Sequence, residues 1–407
     1  MTTKITEQNI SNVANAAIQW QAVVTADGST NTNAVAGQGY FVDTSSAQHT
    51  VVLPASPNVG DTIVIRDFAL TFDTNQCNIS RNGSKIEGFA ADTIKITTEG
   101  ISTMLVYSGD TRGWVVTHEG NKTNLAGYPQ YVAATGGTVQ TFNTDFKIHA
   151  FTGDGCFVVS NAGNADGSNK VEVLVVAGGG GGGAFYGGGG GAGGLVLTPS
   201  CGISVSAQTY PISVGGGGNG TNSNNVAGTN GSNSTGMGFT AVGGGYGAGE
   251  FGGGNSGGSG GGGNPRGGGG SGNQPSQSNP GATNFGNAGG PGPGNLGGGG
   301  GGATSAGGAN PTCTPNLRAG GLGKDVSPQF GTYTQVNLGD ANPAYASNQY
   351  YAGGGGGQGS GGGAGGGGVN PVSSGAGQAN TGGGARGDSG GTAGGKGIVL
   401  IKYKFQN

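Results

Sequence analysis

Charge is scarce in this sequence. Asp, Glu, Lys and Arg make up 9% of its 407 residues, against about 25% in an average globular chain, and the formal net charge is −3. Neutralising a phosphate backbone takes clustered Lys and Arg, and no basic run occurs, so nucleic acid is not an expected partner. No apolar stretch approaches the ~20 residues that a bilayer-spanning helix needs, so no membrane insertion is expected. The first twenty residues carry Lys4 and Glu7 and lack the apolar centre of a secretory leader.

Reactive side chains are equally thin. Cys77, Cys156, Cys201 and Cys313 stand far apart, with neither a Cys-x-x-Cys pair nor a Cys/His cluster, which excludes a disulfide framework and a zinc site as expectations. The three histidines, His49, His118 and His149, form no triad or metal spacing, and His149 falls in a predicted strand, where a packing role is expected. The nineteen acidic residues are scattered, so no carboxylate pair for glycan cleavage stands out. Gly-x-Gly-x-x-Gly matches arise by chance in a chain this rich in glycine, and the Gly-Lys-Ser/Thr of a nucleotide loop is absent. The expectation is a protein that is not an enzyme, with no catalytic residue, no cofactor and no metal. Arg386-Gly387-Asp388 spells an integrin-type tripeptide, which in Gly-, Ser- and Ala-rich sequence is expected to be coincidence.

What the chain has is glycine. Seventeen of its 102 glycines precede Ala177 and eighty-five follow. Ahead of that boundary the signal is β: short apolar runs at 40–43, 50–53, 62–67, 77–81, 94–97, 103–107 and 114–117, separated by turn chemistry such as Asn82-Gly83. This predicts one antiparallel sandwich over residues 21–120, preceded by a docking arm at 1–20 and followed by a linker at 121–145 with one hairpin-like stretch through Gly136-Gly137. A second β region begins at 146–151, 156–160 and 171–176, continues at 195–197, 203–206 and 210–214, and closes at 397–405. Apolar strands thus bracket the glycine-rich part at both ends, which predicts a sheet clamping everything between.

Two readings of the glycine tracts compete. Sequence rich in Gly, Ser and Asn offers little apolar surface to offset the entropy of ordering, which predicts loose loops. Against that, the runs recur at similar lengths, are interrupted by aromatics or prolines such as Phe185-Tyr186 and Phe251, and hold only nine charged residues between Ala177 and Gly397. Segments without Cβ can adopt a three-residue-per-turn extended helix and pack at close range. Ordered packing is the favoured reading. The fold expected is therefore all-β, an N-terminal antiparallel β-sandwich module plus a glycine-rich β domain at 146–407 with packed polyglycine II-like segments.

Two passages resemble known families. Tyr40-Phe41-Val42-Asp43-Thr44-Ser45-Ser46, then Val51-Val52-Leu53-Pro54, Gly60-Asp61 and Gly113-Trp114, looks like a β module of tail fibres and other appendage proteins of marine and cyanobacterial phages. Lys147-Ile148-His149-Ala150-Phe151-Thr152-Gly153, the strand ending at Ala177, Tyr210-Pro211-Ile212-Ser213-Val214-Gly215 and Gly397-Ile398-Val399 are similar to a glycine-rich domain at the C-terminus of such fibres. More loosely, the tracts resemble the polyglycine-sandwich adhesins that tip the long tail fibres of T-even-like phages, in which loops at the distal end of the sandwich meet the receptor. This chain departs from those adhesins in carrying its own N-terminal module and long non-glycine inserts.

The resemblance implies a virion surface appendage, a tail fibre or adhesin made in the host cytoplasm, or alternatively a head- or neck-attached decoration fibre. Its partners would be other virion proteins through the N-terminus and a host surface glycan or outer-membrane protein, and its assembly a homotrimer. Receptor contacts are expected in the inserts 276–285, 311–317, 329–338 and 342–351, with Tyr333, Tyr345, Tyr350 and Tyr351 foremost, because rigid Tyr anchors among adaptable polar residues suit binding loops.

Overall fold

A computed structural model describes residues 18–90, 93–118, 125–126, 129–223, 226–277, 281–292, 296–309, 318–331, 349–363, 365–368, 375–387 and 391–406. The chain divides into two compact units, Met1–Gln130 and Tyr131–Asn407. Both are built of strands, and the all-β expectation is met.

The first unit contains β1 (Gln19–Trp20), β2 (Val24–Thr25), β3 (Asn31–Asn33), β4 (Gln38–Asp43), β5 (His49–Val52), β6 (Thr62–Asp67), β7 (Cys77–Ser80), β8 (Thr93–Ile96), β9 (Ser102–Tyr107), β10 (Trp114–His118) and β11 (Leu125–Ala126). They form a six-stranded sheet in the order β1-β4-β6-β9-β10, with β2 also on β4, and a five-stranded sheet in the order β11-β8-β7-β5-β3. Inward residues of both sheets, among them Val42, Val51, Ile63, Ile65, Ile79, Leu105 and Trp114, make one core.

The antiparallel expectation needs correction here. From β2 to β7 the chain alternates between the two sheets, so each strand lies parallel to the one laid down a turn earlier: β2, β4 and β6 in one sheet, β3, β5 and β7 in the other. Only β8 to β11 close the ends with antiparallel pairs. Alternating burial is the same for either direction. Direction follows from where the connection goes, and a crossing through the opposite sheet brings the next strand back parallel.

The second unit contains β12 (Val132–Thr135), β13 (Thr138–Phe142), β14 (Phe146–Phe151), β15 (Gly155–Ala162), β16 (Lys170–Val176), β17 (Leu195–Leu197), β18 (Ile203–Ser204), β19 (Thr209–Ile212), β20 (Ser234–Gly236), β21 (Phe239–Ala241), β22 (Thr283–Phe285), β23 (Lys324–Asp325), a helical turn α1 (Ser327–Phe330), β24 (Tyr350–Tyr351) and β25 (Ile398–Lys404). A seven-stranded sheet runs β13-β14-β25-β16-β17-β22, with β18 also on β16. The C-terminal strand sits inside it, antiparallel to both β14 and β16. Both faces are buried: Val171, Val173, Val175, Val399 and Ile401 enter one core, and Leu174, Val176, Ile398 and Leu400 the other. That is why β16 and β25 read as continuous apolar runs rather than alternating ones. Residues expected as linker are partly strand, since β12 pairs with β15 and β13 with β14; Gly136 and Gly137 carry the chain between two sheets rather than round a hairpin.

Between β16 and β17 the chain leaves the sheet as a glycine run at 177–183, turns at 184–186 and returns at 187–194. The N–H groups of Gly178 and Gly181 donate to Ser232 and Thr229 (both 3.0 Å), those of Gly179 and Gly182 to Gly395 and Thr392 (both 2.9 Å), and those of Gly180 and Gly183 to Gly191 and Gly188 (2.8 and 3.1 Å). Every third residue thus addresses the same neighbour. Its carbonyls accept in turn: Gly178 and Gly181 from Gly244 and Gly247, Gly179 from Gly218, and Gly180 from Ala385. The run is surrounded on all sides by other runs, in a hydrogen-bonded array of three-residue-per-turn helices. The return run does the same, with Gly188, Gly191 and Gly194 donating to Ala248, Gly245 and Val242. The ordered reading of the tracts is the observed one.

None of Gly178 to Gly183 has a positive φ, so any residue could adopt this backbone. Glycine is required by space instead. A Cβ on Gly180 would sit 2.1 Å from the Gly245 carbonyl oxygen, whereas one on Gly216, at the rim, would meet nothing within 4 Å. Rim positions also explain the amide-rich composition. The Asn233, Asn230 and Gln274 side-chain oxygens accept from the N–H groups of Gly243, Tyr246 and Val242, replacing a missing neighbouring run. Gly180→Ala is expected to cost about 3 kcal/mol or more through forced separation of runs, and Gly216→Ala to change stability by no more than about 1 kcal/mol in either direction. Urea denaturation of the two variants checks this, and comparable losses would contradict the close-packed array.

Candidate functional site

Since 177–183 leaves β16 and 187–194 enters β17, the turn at 184–186 lies at the end of the array away from the seven-stranded sheet. Two of the turns that share that end adjoin it. Ala248 accepts from Gly188, which puts the turn 249–253 beside it, and Gly262 donates to Gly189, which brings in the turn 264–266. Asn264, fully buried, binds the two together: its amide nitrogen donates to the Gly249 carbonyl (2.8 Å) and its oxygen accepts from the Arg266 N–H (2.8 Å).

These turns carry the aromatics. Phe185 and Tyr186 are consecutive residues at φ 43° and 55°, a left-handed conformation that bulky side chains rarely adopt, and Tyr186 is 47% exposed. Phe251 is 55% exposed, and the Arg266 guanidinium lies over its ring at 4.8 Å. Aromatic faces on short turns, held by a rigid backbone array, lose little entropy when a ligand settles on them.

Of the tyrosines chosen from sequence, the two that are described lie elsewhere. Tyr333 and Tyr345 fall outside the described residues. Tyr350 and Tyr351 form β24, which pairs with β23 at the sheet end of the array. Tyr351 is 1% exposed and packs among Leu174, Val326, Phe330 and Leu400, so its ring serves the core and presents no surface to a receptor; Tyr350 is half-buried. Of the inserts, 276–285 feeds β22, which pairs with β17 at the same sheet end, and 311–317 lies outside the described residues. Sequence reasoning missed Tyr186 and Phe251 as exposed aromatics by reading them as covers for the array. Their signal was position: each interrupts two glycine runs with only one or two neighbours, which forces a tight, exposed turn. Arg386 of the Arg-Gly-Asp tripeptide is buried.

Lys402 pairs with Glu172 at 2.9 Å and also donates to the Gln329 carbonyl, with the rings of Phe146, Phe330 and Phe142 within 5.2–5.9 Å of its ammonium. Burial raises the Glu172 carboxyl above its ordinary range, against the pull of Lys402. A cavity of about 370 Å³ beside this pair is lined by Lys170, Cys201 and Lys404 among others. No group of three or more metal-ligating residues occurs among the described residues.

His149 is fully buried. Its Nδ1–H donates to the Gly136 carbonyl (2.6 Å) and its Nε2 accepts from the Tyr403 hydroxyl (3.1 Å), with Phe157 edge-on at 5.2 Å. Burial holds the imidazole below its ordinary 6.5. The unfolded chain therefore takes up a proton that the native unit refuses, so the contribution of His149 to stability is full above about pH 6.5 and is lost as the pH drops below it, with a slope approaching about 1.4 kcal/mol per pH unit until the native imidazole itself protonates. Denaturation midpoints of the full chain between pH 8 and 5 check this, and His149→Gln should flatten the decline of the second unit's transition.

A family model described as a glycine-rich domain matches residues 160–404. No curated protein matches the chain. The family match covers more than half of the sequence and takes in the array together with β16 and β25, the strands that hold its two ends, so the chain belongs to the glycine-rich domain family.

Proposed function

We propose that this protein is a virion structural component, a tail fibre or adhesin whose glycine-rich domain is displayed outward to recognise a host-cell surface. The observation that carries the reading is the end of the array: three adjoining turns with Tyr186 and Phe251 exposed, Phe185 and Tyr186 held at positive φ, and Asn264 fixing two of the turns to each other. Strain of this kind persists only where surrounding structure over-determines it, and it clusters at functional sites. The resemblance of residues 40–57 to phage appendage modules supports the virion setting. In this reading the protein is not an enzyme and needs no cofactor. Its partners are other virion proteins at the N-terminal side and a host glycan or outer-membrane protein at the turns, in a homotrimeric assembly.

Full-length protein added to susceptible cells before the phage is expected to occupy the receptor and leave particles unadsorbed. The double variant Tyr186→Asn/Phe251→Ser should block at least tenfold less well at equal concentration, with its melting temperature unchanged, because Asn tolerates positive φ and both rings are exposed. Folded wild-type protein that neither binds nor blocks would move the assignment to a decoration fibre.

A further inference from the structure

We propose that copies of this chain associate through the outer face of the six-stranded sheet of the first unit. The two sheets of that unit differ on their outward sides. The five-stranded sheet presents Asn31, Asn33, Asn78, Ser80 and Lys95, a face suited to water. On the six-stranded sheet the register rows Gly39–Val64–Met104, Thr62–Val106–Val115 and Phe41–Arg66–Ser102 face outward; Thr62, Arg66 and Ser102 are their polar members, and the Arg66 guanidinium is bonded to the Gly100 carbonyl.

Trp20 lies across this face. A Cβ on Gly39 would meet its ring at 2.7 Å, so glycine makes room for it, and the indole stacks on Phe41 at 4.3 Å while Phe41 meets Phe68 edge-on at 6.2 Å. Yet Trp20 remains 45% exposed and Phe68 52%, with Val23 and Leu70 also exposed. Together they leave on the order of 400 Å² of apolar surface, the size of the largest patch on a typical monomer, which is often functional.

A second copy is the occupant the area fits. Three such patches around one axis, as in the homotrimer proposed above, bury about 1,200 Å² of apolar surface, within the ~1,200–2,000 Å² of a specific interface. The face carries almost no charge, so it offers nothing to orient an unlike charged partner and nothing that repels its own kind. This inference stands apart from receptor binding, which concerns only the other unit.

The experiment is sedimentation of the full chain over a hundredfold concentration range, beside Trp20→Ser/Phe68→Ser. Wild type should run as a trimer of the chain, and the variant should dissociate at least tenfold more readily with its melting temperature within a few degrees, since both side chains are half exposed. Trp114 is fully buried, so iodide quenching reports Trp20 alone and should weaken as wild type associates. An unchanged oligomer in the variant would overturn the proposal. So would a wild-type monomer, including one whose Trp20 becomes quenchable only when residues 1–17 are removed, which would make that segment the occupant instead.

Discussion

The exclusion of Cβ from the space between glycine runs governs most of what is unusual about this protein. Adjacent runs approach until backbone touches backbone, as the 2.1 Å from a virtual Cβ on Gly180 to the Gly245 oxygen records. At that distance neither charged nor apolar side chains fit, so the array has no hydrophobic core and its cohesion is backbone hydrogen bonding. Each such bond contributes a net ~1 kcal/mol, about what ordering one residue's backbone costs, and glycine costs more than average. An isolated array would be marginal. It depends on a structure that holds its ends.

That structure is the seven-stranded sheet. β16 launches the first run, β17 receives its return, and β25, at the far end of the sequence, lies antiparallel to β16. Holding both ends of the long glycine segment shortens the effective loops that the array must close, and loop closure is where the entropy of a flexible chain is spent. The sheet supplies the apolar burial that the array lacks, on both faces, through Val173, Leu174, Val175 and Ile401 among others. Stability enters at one end of the domain, and the exposed aromatics stand at the other.

Strand content was legible wherever burial was one-sided or complete: 62–67, 146–151 and 195–197 coincide with β6, β14 and β17. The clamp was legible from the bracketing apolar runs. Strand direction in the first unit was not, because a parallel winding between two sheets and an antiparallel sandwich impose the same alternation. β13 was missed since most of its residues are exposed or half-buried, leaving no period to detect. The burial of Tyr351 was not legible for a different reason. Tyr350-Tyr351 stands in a polar insert, and whether an insert lies at the sheet end or the free end depends on the parity of runs before it, which the sequence does not mark.

Parity also separates what can vary from what cannot. Turns at the free end contribute little to the hydrogen-bond pattern of the runs, so their side chains can change with only local cost, provided that positions such as 185 and 186 keep residues tolerant of positive φ or contacts that enforce it. A substitution inside a run displaces several neighbours at once, because each run touches others on every side. The recognition surface proposed for these turns could then be altered without disturbing its support. The same separation would keep a ligand at the turns from disturbing the base, since a close-packed array has no soft layer through which a small displacement could spread.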